Sequence, residues 1–122
     1  MSIISGTNIT LLASQTITIQ SNFVVRTISG LSSNDTFDTA ENFVTNYIGD
    51  LDPVNNGDSF TLTIYNSDLL ASITMNPGTD MTFNPINVLL TSTIPPDSAR
   101  TYLFVQTAAV LGVSCTLAVY PY

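Results

Sequence analysis

Lysine, histidine and tryptophan are missing from this 122-residue chain, and cysteine occurs once. With no histidine, no lysine and one thiol at Cys115, neither a nucleophile–base triad nor a thiol–imidazole pair can be assembled. A lone cysteine also excludes an intrachain disulfide, so cysteine usage says nothing about compartment. Charge is scarce: 9 % of residues carry it, against about 25 % in an ordinary soluble domain. Nine acids stand against Arg26 and Arg100, for a net charge of −7. Nucleic-acid binding and polybasic membrane contact both need clusters of Lys and Arg, and two arginines cannot form one. No segment approaches the roughly 20 apolar residues of a membrane helix, and Met1-Ser2-Ile3-Ile4 lacks the basic start of an export signal. Neither nucleic acid nor membrane insertion is expected.

What is present is a hydrophobic fraction of 44 % under a surface of Ser, Thr and Asn. A chain of this length is expected to form one domain over residues 1–122, burying roughly two-thirds of its unfolded surface. A surface poor in long charged side chains loses little entropy when covered, which favours life inside an assembly. Two Asn-X-Thr sequons, at Asn8 and Asn34, are read as chance in a chain so rich in both residues.

Period-two alternation dominates the chain. Short strands are expected over 7–12 and 15–20, with Ile9 and Leu11 on one face of the first and Ile17 and Ile19 on one face of the second. From Phe23 to Ile28, Phe23 and Val25 alternate with Val24 and Ile28. Arg26 reads as a strand-edge residue with its head in water, or as an arginine paired with a neighbour's acid. Ser29 to Asn34 reads as a polar loop, after which the period changes. Asp38 three before Glu41 marks a helix start, and Ala40, Phe43, Val44, Tyr47 and Ile48 form one apolar stripe ending at Gly49. This helix, near residues 38–48, is expected to plug one end or edge of the β core, with partner docking as its alternative. Asp50 to Asp58 holds three carboxylates, but Pro53 and Val54 break the calcium-loop pattern and turn chemistry explains the acids, so no metal is expected.

Beyond Asn56-Gly57-Asp58 the strands come quickly. Phe60, Leu62 and Ile64, then Ala71, Ile73 and Met75, read as the inward sets of a hairpin turning at Asn66-Ser67-Asp68. Met81 and Phe83 follow, then Val88 and Leu90, before Pro95-Pro96-Asp97 ends pairing. Residues 99–107 carry Leu103 and Val105 on one face and Tyr102 and Phe104 on the other, so this strand belongs at the centre of a sheet or beneath a partner. Ala108 to Gly112 bends, and Val113, Cys115, Leu117 and Val119 line the last strand, with Cys115 as inert packing. The expected fold is all-β: a two-layer antiparallel β-sandwich, jelly-roll or immunoglobulin-like, of about eight strands and one helix. Both termini are apolar, and residues 1–12 either tuck in or form an arm contacting a neighbour.

The succession of Asp38-Thr39-Ala40-Glu41-Asn42-Phe43-Val44, Asn56-Gly57-Asp58-Ser59-Phe60, Ile64-Tyr65-Asn66, Ile73-Thr74, Pro77-Gly78-Thr79 and Ile94-Pro95-Pro96-Asp97-Ser98-Ala99-Arg100 resembles small β-rich virion proteins of large double-stranded DNA viruses. Related stretches occur in some phage structural proteins. The resemblance covers residues 36–107. It implies a minor capsid, cap or surface component of the virion, without catalytic residues or cofactors. The expected function is that of a non-enzymatic structural subunit binding copies of itself, a trimer favoured, and the major capsid protein. Its candidate interface residues are Ile3, Ile4, Tyr65, Tyr102, Phe104, Tyr120 and Tyr122. The alternative is a receptor- or glycan-binding module on a virion or phage tail, stacking sugars on Tyr65, Tyr102 and Tyr120.

Overall fold

The computed structural model describes residues 2–16, 22–84 and 92–122. Its elements, in chain order, are β1 (Ser2–Ser5), β2 (Thr10–Leu11), a 3-10 turn (Ala13–Gln15), β3 (Phe23–Thr27), β4 (Ser33–Phe37), α1 (Ala40–Tyr47), a second 3-10 turn (Pro53–Asn55), β5 (Ser59–Asn66), β6 (Ile73–Asn76), β7 (Met81–Phe83), β8 (Thr93–Ile94), β9 (Ser98–Val110) and β10 (Ser114–Pro121). The strands expected around Ile17 and Ile19, and around Val88 and Leu90, fall mostly outside the described residues.

Two sheets result, one of six strands in the order β1-β3-β5-β9-β10-β7 and one of four in the order β2-β4-β6-β8. The expectation of antiparallel pairing is corrected here. β1–β3, β3–β5, β2–β4, β4–β6 and β7–β10 are parallel; among the described residues only β5–β9, β9–β10 and β6–β8 are antiparallel. From β1 to β6 the chain crosses to the opposite sheet after every strand and pairs with the strand two back. This makes three parallel coils, closed by the β9–β10 hairpin. The expected hairpin of residues 60–65 with 71–75 is therefore not one, because β5 and β6 lie in different sheets. Turn residues fix where the chain reverses, not which sheet receives the next strand.

The inward positions of both sheets meet in one core. Leu11, Phe37, Ile73, Met75 and Ile94 come from the four-stranded sheet, and Val24, Leu62, Ile64, Tyr102, Phe104, Leu117 and Val119 from the six-stranded one. Phe37 joins the layers: its ring meets Tyr102 edge-on at 5.3 Å and Phe104 at 5.2 Å, a favoured geometry between quadrupolar rings. Helix α1 packs its stripe against this core. Phe43 stacks on Phe104 at 5.4 Å, and Tyr47 stacks on Phe60 at 4.2 Å. The helix starts one residue later than the Asp38 spacing indicates. Thr39 Oγ1 accepts from Asn42 N–H at 3.2 Å, while Asp38 accepts from Thr39 N–H at 2.8 Å.

Arg26 is fully buried, which overturns its reading as a solvated edge residue or an intermolecular partner. Its Nε donates to Asp35 Oδ2 at 2.6 Å and its Nη2 to Asp35 Oδ1 at 3.1 Å. The same guanidinium donates to the carbonyls of Ile4 at 2.6 Å and Gly6 at 2.8 Å. Asp35, equally buried, also accepts from Ser33 Oγ at 2.5 Å. One fork-shaped cation thus ties β1 and β3 to β4 across the two layers. It also explains why Ser29–Asn34 read as loop: β4 begins at Ser33, and two of its three inward residues, Ser33 and Asp35, are polar.

A close backbone approach locks the turn before β7. A Cβ on Gly78 would lie 2.0 Å from the Asp38 carbonyl oxygen and 2.5 Å from that of Phe37, and Thr79 O accepts from Ala40 N–H at 3.0 Å. Gly78→Ala is expected to cost about 1–3 kcal/mol by forcing β4 away from this turn. Asp35→Ala, which strands a buried guanidinium, is expected to cost about 3–5 kcal/mol. Urea unfolding of both variants checks these values, and a loss below about 1 kcal/mol for Asp35→Ala would show that the pair does not hold the layers.

Candidate functional site

The outward positions of the six-stranded sheet form a broad surface among the described residues. The strand register sets them in rows: Ile3, Val25, Tyr65 and Ala99 in the first, then Phe23, Thr63 and Thr101 beside Tyr122. Thr61, Leu103 and Tyr120 make the third row, and Ser59, Val105, Ala118 and Thr82 the fourth. No acid or arginine stands in these rows. The charged residues lie instead in the buried pair, in loops and helix caps, or at inward strand positions such as Arg100, whose Nε donates to Thr93 O at 3.1 Å. Asp97 reaches only the rim, accepting from the Tyr65 hydroxyl. That bond, aided by partial desolvation and the nearby carboxylate charge, raises the phenol above its ordinary value of 10.0.

Of the seven residues singled out from the sequence, the fold gathers four on this face. Ile3 is 66 % exposed and Tyr122 67 %, Tyr120 is also exposed, and Tyr65 is half-buried. Ile4 turns to the core, half-buried. Tyr102 and Phe104 are fully buried, so they cannot meet a partner or a sugar. β9 does lie centrally in its sheet, but its larger aromatic set faces inward, and Leu103 and Val105 are the pair left outside. A strand apolar on both faces gives no sign of which face is which; ring volume was the available cue, since the bulkier side chains fill the deeper layer. Phe23 and Val25 were missed for the same reason.

Two other places stand apart from this face. The end of the β9–β10 hairpin holds a depression of about 190 Å³ lined by Ala108, Ala109, Val110, Ser114, Cys115 and Thr116. Beneath it the Cys115 thiol is pushed up to about 11 by burial and by the carboxylates of Glu41 and Asp80, which leaves it protonated and unreactive at neutral pH. In the 50–58 loop Asp52 caps a 3-10 turn, accepting from Val54 N–H at 2.9 Å. Among the described residues no three His, Cys, Asp or Glu side chains converge as metal ligands, and no helix is long and apolar enough to cross a membrane. Compared with family models, with curated proteins and with solved structures, the chain matches none.

The carboxylates split by environment. The amides of Leu70 and Ala71, and then of Gly30, hold Asp68 below its ordinary 3.8 despite some desolvation. Desolvation and the neighbouring Asp80 carboxyl raise Glu41 above its ordinary 4.5. Asp68 therefore stabilises the fold above its unfolded value, and that contribution fades as pH falls through the lowered one. Glu41 acts with opposite sign: its proton is held more tightly in the folded chain, so its penalty is full at neutral pH and lifts on acidification. Melting curves from pH 3 to 8 should show Asp68→Ala melting below the parent at pH 7. Glu41→Gln should melt above it at pH 7, with both differences shrinking toward pH 3.5. A pH-independent gap for Glu41→Gln would remove its charge as the cause.

Proposed function

We propose that this chain is a non-enzymatic structural subunit: a minor capsid or cap-type component of a virus particle that binds copies of itself and the major capsid protein. The carrying observation is the uncharged outer face of the six-stranded sheet in a chain of net charge −7. Two copies can meet there without setting acid against acid, whereas loop-to-loop approaches bring Asp50, Asp52 and Asp58 together. The outward positions of these rows, each covering about 4.8 Å between strands and about 6.7 Å along a strand, give a face on the order of 500 Å². Burial from both sides then reaches on the order of 1,000 Å², where specific interfaces begin. The two sheets serve as a rigid sandwich scaffold; a face that meets its own copy closes as a two-fold dimer, and the trimer expected from the sequence needs a second, different patch on each copy. The viral setting rests on the resemblance of residues 36–107 alone.

Light scattering coupled to size exclusion, over a dilution series, tests the reading. The parent chain should self-associate, and Leu103→Lys should stay monomeric while melting within a few degrees of it, since the lysine stem can lie along the sheet. A parent chain that remains monomeric and ignores capsid material sinks the proposal. The glycan-binding reading keeps a foothold in Tyr65 and Tyr120, both on this face. Saturable glycan binding by a monomer, lost in Tyr65→Ala and Tyr120→Ala, would favour it instead.

A further inference from the structure

The 50–58 loop holds a reactive pair that neither the sheet face nor the core uses. Asn56-Gly57 is the only Asn-Gly step in the sequence. An asparagine side chain carries its amide carbon within five-membered-ring reach of the next backbone nitrogen, and glycine puts no side chain in the way of that attack. Both residues are exposed, and a Cβ on Gly57 would meet nothing within 4 Å. Water therefore reaches the pair, yet the fold withholds the reacting geometry. At Asn56 ψ is 130°, which sets the Gly57 nitrogen beside Hα and away from the side chain. Closing the ring needs a turn of about 110° about the Cα–C bond, until that nitrogen eclipses Cβ.

Gln106 keeps the loop from making that turn. Its backbone carbonyl accepts from Gly57 N–H at 2.8 Å, and its own N–H donates to Asp58 O at 2.9 Å. Its side chain, 1 % exposed, donates through Nε2 to Asp52 O at 3.0 Å and to Asn56 Oδ1 at 2.9 Å. The attacking nitrogen and the attacked amide are thus tied to one residue of β9. The latch is not fully satisfied. Gln106 Oε1 is buried without a hydrogen-bond partner among the described residues. Lifting the loop lets water reach that oxygen, which offsets part of the cost of opening.

We propose that Asn56-Gly57 is a self-modification site guarded by Gln106: it stays intact while the 50–58 loop is latched and deamidates when the loop opens. In the open loop the Gly57 nitrogen, losing its proton to a solvent base, forms a bond to Asn56 Cγ. The Cγ–Nδ2 bond breaks and ammonia leaves, taking a proton from solvent, which gives a succinimide. Water then opens the ring at either carbonyl. Attack at Cγ leaves aspartate at position 56; attack at the main-chain carbonyl leaves isoaspartate, whose backbone is one methylene longer. Either product adds a negative charge between Asp52 and Asp58, and the isoaspartate moves Gly57 out of register with Gln106. The reaction consumes a water, releases an ammonia and needs no catalytic group, so it records loop opening irreversibly. The site stands whether or not the sheet face assembles.

Peptide mapping by mass spectrometry at pH 8 follows conversion at Asn56 in the folded parent chain and in the same chain unfolded in urea. The folded chain should convert about tenfold or more slowly. Gln106→Met keeps the side-chain volume but removes both Nε2 bonds, and it should convert several-fold faster than the parent while its melting curve shows it folded. Hydrogen exchange of the Gly57 amide needs no variant. Its slowing relative to the unfolded chain should match the slowing of deamidation within about threefold, because one opening frees both. An unfolded chain that leaves Asn56 intact would remove the site, and conversion in the folded parent as fast as in urea would remove the guard. A folded Gln106→Met that converts no faster than the parent would remove Gln106 as the latch. If that variant does not fold, the exchange comparison decides: a Gly57 amide exchanging far faster than deamidation proceeds would show that loop opening is not the gate.

Discussion

The buried pairing of Arg26 with Asp35 is the constraint on which the two-layer arrangement depends. Parallel coils have no tight hairpin turns to set their register, so something else must. In β4 a slip of one residue would carry Asp35 to the outer surface and leave the guanidinium alone in the core. That state is penalised by the desolvation of an uncompensated ion, a larger effect than any single apolar misfit. The same cation takes up the carbonyls of Ile4 and Gly6, so it positions β1 as well. A pair of this kind adds little net stability compared with apolar replacement, and its value here lies in admitting only one alignment.

With half its arginine spent in the core, the chain distributes its acids to backbone duties. Asp38 serves the helix start, Asp52 a 3-10 turn, and Asp68 the 67–72 loop. These carboxylates shape the ends and leave the broad sheet face uncharged. Thr, Tyr and aliphatic side chains then face outward in rows fixed by strand register. Such a surface meets another mainly through shape and area, with charge confined to its rim.

Much of this was legible in residue order. Alternation located the inward sets of β5, β6, β7 and β10, and the stripe from Ala40 to Ile48 located the helix. What escaped detection was polar or non-local. β4 was hidden because Ser33 and Asp35 occupy inward positions whose partner, Arg26, lies on another strand and was itself read as solvated. β1 was too short to show a pattern, and its exposed Ile3 is ordered by pairing with β3. The parallel topology was illegible because it is decided by which sheet receives each strand. The site was half-legible: the terminal and edge tyrosines were found, while Tyr102 and Phe104 were taken from the wrong side of β9.

The coiled course from β1 to β6 has a temporal consequence. The first three turns of the winding leave the ribosome before β9 exists, and the flank of β5 that β9 will cover stays open until about 40 more residues have been made. Pairing over such separations is slow to form, so the nascent chain passes through a stage with a long unpaired edge. For a protein rich in threonine and poor in charge, that stage is the one most exposed to mispairing with a neighbour on the same message.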